Sequence, residues 1–137
     1  MAQKPTPVII VHNIAHARAA AEAAVAAGIL VRLRSAPGAA RYAGAAWFAA
    51  LIAIVREEFP TANIEASLDC ATDPGLALAA LRSGIRLVRF TGPPSVKRKI
   101  AAIARSCGAA LDDAPPTIDL LDRAALESTL RAALTRR

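Results

Sequence analysis

Short apolar runs alternate with Ala-rich stretches of helical length along the whole chain. The first four runs each stop at a polar or turn cluster: His12-Asn13, Ser35-Ala36-Pro37, Asp69-Cys70 and Thr91-Gly92-Pro93-Pro94. Strands that alternate with helices lie parallel, because each helix returns the chain to the edge where the strand began. All outgoing loops then collect at one edge of the sheet, and a site is expected on that edge. The pattern defines a fold class; the chemistry has to be read from the residues at the strand ends.

Strand one is Val8 to Val11, apolar on both faces, and a helix from about Ala15 to Ala27 follows, closed by Gly28. Strand two runs from Ile29 to Arg34. Pro37 is placed to open a second helix reaching about Glu58, before Pro60. Strand three covers Ile64 to Asp69, and Asp73-Pro74 then starts a third helix that ends at Gly84. Strand four is Arg86 to Phe90. Helix four is expected to bury Val96, Ile100, Ile103 and Cys107. A weak fifth strand falls near Ala109 to Leu111. A last helix starts at about Asp119 or Asp122, with Leu126, Leu130 and Leu134 as its inner stripe. No linker interrupts residues 1–137, so a single α/β domain is expected.

Alternation within the strands narrows the architecture. Arg32 and Arg34 share one face of strand two, Glu65, Ser67 and Asp69 one face of strand three, and Leu87 and Arg89 one face of strand four. A doubly wound sheet buries both faces, and such a row is costly inside it unless paired. A barrel-type sheet carries helices on one side only, and its other face can hold a polar cluster. The expectation is therefore a TIM-like partial barrel of about five βα units. A flavodoxin-like, three-layer doubly wound sheet is the alternative.

Aromatic residues are scarce, with three Phe, one Trp and one Tyr, so the core must come from Ala, Leu, Ile and Val. Each Ala buries little apolar area, and association is a common remedy. No charged side chain occurs from Tyr42 to Val55, which makes the second helix apolar all round. A homo-oligomer built on Tyr42, Trp47, Phe48 and Leu51 is expected. The longest apolar segment, Ala43 to Val55, is too short to cross a bilayer, and no membrane association is expected. Cys70 and Cys107 form no Cys-x-x-Cys pair and are expected to lie too far apart for a disulfide. With no signal-peptide pattern at the N-terminus, the chain reads as cytoplasmic.

The formal charge is +6. Its excess is concentrated in Arg82, Arg86, Arg89, Lys97, Arg98, Lys99 and Arg105, a stretch without an acidic residue. A nucleic-acid surface would need aromatic platforms among those charges, and only Phe90 falls there, inside a strand. Nucleic acid is not expected as a partner; a small anion is.

Residues 16–92 resemble the central part of the KDPG aldolases, class I lyases built as TIM barrels. The resemblance rests on the Ala-rich first helix into Gly28, Val31-Arg32-Leu33-Arg34-Ser35 with Pro37, and Arg56-Glu57-Glu58-Phe59-Pro60. It continues through Ile64 to Asp69, Asp73-Pro74, Leu78 to Gly84 and Leu87 to Gly92. It implies TIM-type βα units and maps Arg34 onto a substrate-anion contact. The family's Schiff-base lysine has no counterpart, since the lysines here are Lys4, Lys97 and Lys99 and the last two fall on a helix. Its acid-base glutamate is also absent, because positions 29–33 hold no Glu, and its Gly-rich third strand end is replaced by Ser67-Leu68-Asp69-Cys70. What the resemblance implies is a shortened scaffold without aldolase chemistry.

The sequence has no Gly-x-Gly-x-x-Gly, P-loop, Gly-x-Ser-x-Gly or His-Glu-x-x-His, and no cofactor is expected. His12 and His16 have the spacing of a helical metal pair, but His12 ends a strand, so no metal site is expected; His12 would serve loop backbone groups and His16 would lie on the surface. Three candidates for catalysis stand at strand ends: Asp69, Cys70 and His12. A thiol beside helix N-termini and arginines can ionise readily and act as a nucleophile. Asn13, Arg34, Ser35, Thr91 and Asp112 are the expected ligand contacts, because helix N-termini near arginines suit a phosphate or carboxylate. The reading is a small α/β protein that binds an anionic metabolite at the C-terminal edge of its strands. The alternatives are a small lyase or isomerase using Asp69, Cys70 or His12, and an oligomeric interaction domain without catalysis.

Overall fold

A computed structural model describes residues 5–121 of the chain. Six strands, β1 (Val8–Val11), β2 (Val31–Ser35), β3 (Ile64–Asp69), β4 (Leu87–Arg89), β5 (Ala110–Leu111) and β6 (Ile118–Asp119), form one parallel sheet in the order β5-β4-β3-β2-β1-β6. Between them run α1 (Ile14–Ala27), α2 (Ala39–Tyr42), α3 (Gly44–Glu58), α4 (Pro74–Arg82) and α5 (Pro94–Ser106). Local chemistry sets several of these ends. The Asn13 side chain accepts the His16 amide at the start of α1, and Asp73 accepts the Leu76 amide at the start of α4, followed by Pro74. Gly28 closes α1 in the left-handed conformation.

The strand register separates the two faces of the sheet. Val8, Arg32 and Glu65 lie side by side, as do Ile10, Arg34, Ser67, Leu87 and Ala110. On the other face Ile9, Val11, Val31, Leu33, Leu68, Cys70, Val88, Phe90 and Ile118 join one buried core with residues of α1, α3, α4 and α5. Because β1 to β5 follow one another in space, right-handed crossovers put every helix on the same side. The sheet is therefore singly wound, and the doubly wound alternative is set aside. The polar face is also concave. On a flat sheet β5 and β2 would stand about 14 Å apart. Yet Asp112, directly after β5, accepts a hydrogen bond from Arg34 of β2 at 2.9 Å. Residues 112–117 connect β5 to β6 without a helix, passing over this face, where the Ala114 carbonyl takes a 2.6 Å bond from Arg34. Thr117 then meets β1 through reciprocal bonds with Val8.

Three expectations need correction. The long second helix is divided: Pro37 does not open it, α2 is one turn, and Gly44, at φ +87°, begins α3 in a conformation that a side chain would strain. Helix four turns Ile100 and Ala104 inward, leaving Ile103 and the terminal Cys107 exposed, because the inner stripe follows 96, 100, 104. Asp119 belongs to strand β6, not to a helix start. The stripe of Leu126, Leu130 and Leu134 lies outside the described residues. No described helix is long and apolar enough to cross a membrane.

Candidate functional site at the strand ends

Parallel pairing brings the ends of all six strands to one edge, with His12, Ser35, Asp69, Phe90, Asp112 and Leu120 ending or directly following them. Three groups of polar side chains stand at or just below that edge.

The deepest is built on Asp112, which is fully buried. Its carboxylate accepts from Arg32 Nη1 at 2.7 Å, Arg34 Nε at 2.9 Å and Ser67 Oγ at 2.6 Å. Arg32 also holds Glu65 at 2.9 Å. Burial alone would push the Asp112 carboxyl up; the Ser67 bond and the charges and bonds of Arg34 and Arg32 outweigh it and hold the group below the usual carboxylate range. Arg34 is committed to Asp112 and to Ala114, and Ser35 accepts the Asp69 amide at 2.9 Å while donating to Ala36. Arg34, Ser35 and Asp112, expected to meet a ligand, are thus bonded into the fold beneath the edge.

Asp69 organises the loops above. Its Oδ1 accepts the amides of Gly38, at 3.0 Å, and Ala71, at 2.8 Å, while Arg89 approaches Oδ2 at 3.9 Å. Ala71 is held in the left-handed region, φ +50°, and its carbonyl accepts the Thr91 amide at 2.8 Å. The Asp69 carboxylate therefore ties together the loops after β2 and β3, and the Ala71 carbonyl adds the loop after β4. Cys70, beside Asp69, points into the helix-facing core at 0% exposure. Burial, followed by the charges of Asp69 and Asp73, pushes its thiol up to about 12. The expected low-pKa nucleophile is corrected: the arginines that were to activate it lie on the opposite face of the sheet.

The third group joins β1 to β6. His12 Nε2 and Asp119 Oδ1 are 2.7 Å apart, and the backbone amide of His12 donates to His16 Nδ1 at 3.1 Å. The two imidazoles meet edge to face, with centroids 5.7 Å apart. His16 is buried, contrary to the surface position expected of it. Burial raises the Asp119 carboxyl, but the Leu121 amide and His12 more than compensate and leave it below the ordinary value. Asp119 was invisible as a site residue, since a two-residue strand leaves no periodic signal. No group of three metal-ligating side chains occurs among the described residues.

Thr91 is exposed and opens the turn into α5. Gly92 is required there: a Cβ would come within 2.3 Å of the Phe90 ring. Unlike α1 and α4, α5 begins without a side-chain cap. Pro94 has no amide hydrogen, so the amides of Ser95 and Val96 face the edge uncapped. Arg89, a quarter exposed on β4, donates to the Asp112 carbonyl at 3.2 Å, and Lys97 in the first turn of α5 pairs with Asp113 at 2.5 Å.

No family model matches the sequence, and no curated protein does. Solved structures match in fold. Among them is a protein from Coccidioides immitis provisionally assigned as a fructose-1,6-biphosphate aldolase, with a TM-score of 0.65 and 19% identity over 77% of this chain and 44% of that one. The present chain thus spans less than half the length of that neighbour. The aldolase resemblance in the sequence holds at the level of fold, as a distant aldolase-like α/β architecture.

Proposed function

We propose that the protein binds a small anionic metabolite, a phosphate or carboxylate, at the C-terminal edge of its parallel strands. The observation that carries this reading is the uncapped start of α5, which follows the exposed Thr91 just past the end of β4, the strand that carries Arg89. A helix N-terminus with free amides favours negative charge. Arg34, Ser35 and Asp112 serve this site from below by fixing the strand ends; Asn13, exposed at the start of α1, can reach the same edge. The two free cysteines suit a cytoplasmic setting. Titration calorimetry with glycerol 3-phosphate and inorganic phosphate tests the proposal. Saturable binding that weakens about tenfold, or about 1.4 kcal/mol, in Arg89→Gln and in Thr91→Val supports it. Absence of binding, or indifference to both changes, contradicts it.

The 2.7 Å contact between His12 and Asp119 favours a second reading, proton transfer at the same edge. A carboxylate that stays ionised orients an imidazole for proton transfer. Under this reading pyruvate exchanges its methyl protons in deuterium oxide with the wild-type protein and not with His12→Gln.

A further inference from the structure

The helices do not cover the sheet evenly. α4 has nine residues and α3 fifteen, so α4 is about 9 Å shorter. At the opposite edge of the sheet from the strand ends, the starts of β3 to β5 are left open between α3 and the turns leading into β4 and β5. The opening is a groove of about 480 Å³, within the range of small-molecule sites. Its floor is apolar, formed by Phe48, Ile52, Ile64 and Ile85, all buried.

Two arginines stand at its rim. Arg56 Nη2 donates to the Ile64 carbonyl at 3.1 Å, and Arg86 Nη1 donates to the Gly108 carbonyl at 3.1 Å. Each bond uses one N–H and steadies a guanidinium that keeps further donors. Both side chains are exposed, and neither is in an ion pair among the described residues. The one carboxylate in the lining, Glu65, is engaged by Arg32 on the other face of the sheet.

We infer that this groove binds an amphiphilic carboxylate: a single small molecule with an apolar body on the floor and its anionic head on Arg56 and Arg86. Charge complementarity selects that occupant. An apolar molecule alone would leave both guanidinium groups unmet, and a bare anion would leave the floor wet. The site is separate from the one proposed at the strand ends.

Calorimetry on the full chain with decanoate, decanol and acetate, each below micelle-forming concentration, tests it. Decanoate is expected to bind one saturable site, with decanol and acetate each weaker by at least about tenfold. Arg56→Gln combined with Arg86→Gln should lower decanoate affinity by a similar factor, and Ala53→Phe, which fills the groove, should abolish it with an unchanged melting temperature. Thr91→Val should leave decanoate binding intact, which separates this site from the strand-end site. Equal affinity for decanoate and decanol would overturn the inference. So would unchanged affinity in the double variant, or a dimer in sedimentation that Ala53→Phe disperses, since a second copy would then occupy the groove.

Discussion

Asp112 is the residue on which the concave face depends. Four donors converge on its fully buried carboxylate: two guanidinium groups, the Ser67 hydroxyl and the Ala114 amide. Removing its charge leaves Arg34, only 2% exposed, without its counter-ion. Loss of one member of a buried pair costs about 3–5 kcal/mol, so Asp112→Asn should lower the urea midpoint sharply. The pH dependence follows from the same contacts. Because the folded-state carboxyl titrates below its unfolded value of about 4, its contribution is complete above that value and is lost as pH falls through the folded one. Stability should therefore drop between neutral pH and pH 3 in the wild-type protein and drop less in Asp112→Asn; an equal drop in both would contradict the assignment. Cys70 gives a second check at this scale. Its buried, neutral thiol should resist Ellman's reagent in the native state while exposed Cys107 reacts at once. Rapid loss of two thiols would contradict that placement.

At the scale of elements, α3 shows what a sequence reading captures and what it mixes together. The absence of charge from Tyr42 to Val55 marked a helix apolar all round, and the outer face does expose Trp47 at 39% and Ile54 at 42%. Phe48 and Leu51, grouped with Trp47 as interface residues, face the core instead, at 1% and 5%. An all-apolar stretch has no polar stripe to mark which side is outward, so the phase of the helix had to come from packing. We propose that the outer face of α3, with Trp47 and Ile54, together with the exposed Tyr42 of α2, mediates self-association. Trp47→Glu should then convert the assembly to a folded monomer in light scattering, whereas Leu51→Glu should unfold it. A monomeric wild-type protein at micromolar concentration would remove the proposal. The alternating β3 is Ile64 to Asp69 as read and the uniformly apolar β1 is Val8 to Val11, whereas β2 begins at Val31 rather than Ile29. β6 was not legible, because its pairing with β1 depends on residues 112–117 crossing the concave face, a long-range event with no local signature.

Across the whole molecule, the alternation of polar and apolar residues in β2, β3 and β4 was enough to indicate a sheet with helices on one side. The register and the single helix-facing core agree with it. The site was less legible. Residue types at strand ends placed His12, Asp69 and Thr91 on the correct edge, but sequence cannot separate a charge offered to solvent from one consumed internally. Arg34 and Asp112 looked like ligand contacts for the same reason that they make a good buried pair. At the strand ends, the ligand contact we propose is the turn from Thr91 into α5. The most direct test is an amide-resolved NMR titration of the full chain with glycerol 3-phosphate. The account predicts saturable shifts concentrated on the amides of Thr91, Ser95, Val96 and Lys97, with Arg56 and Arg86 undisturbed. Shifts confined to the groove of Arg56 and Arg86, or scattered over the surface without saturation, would contradict it.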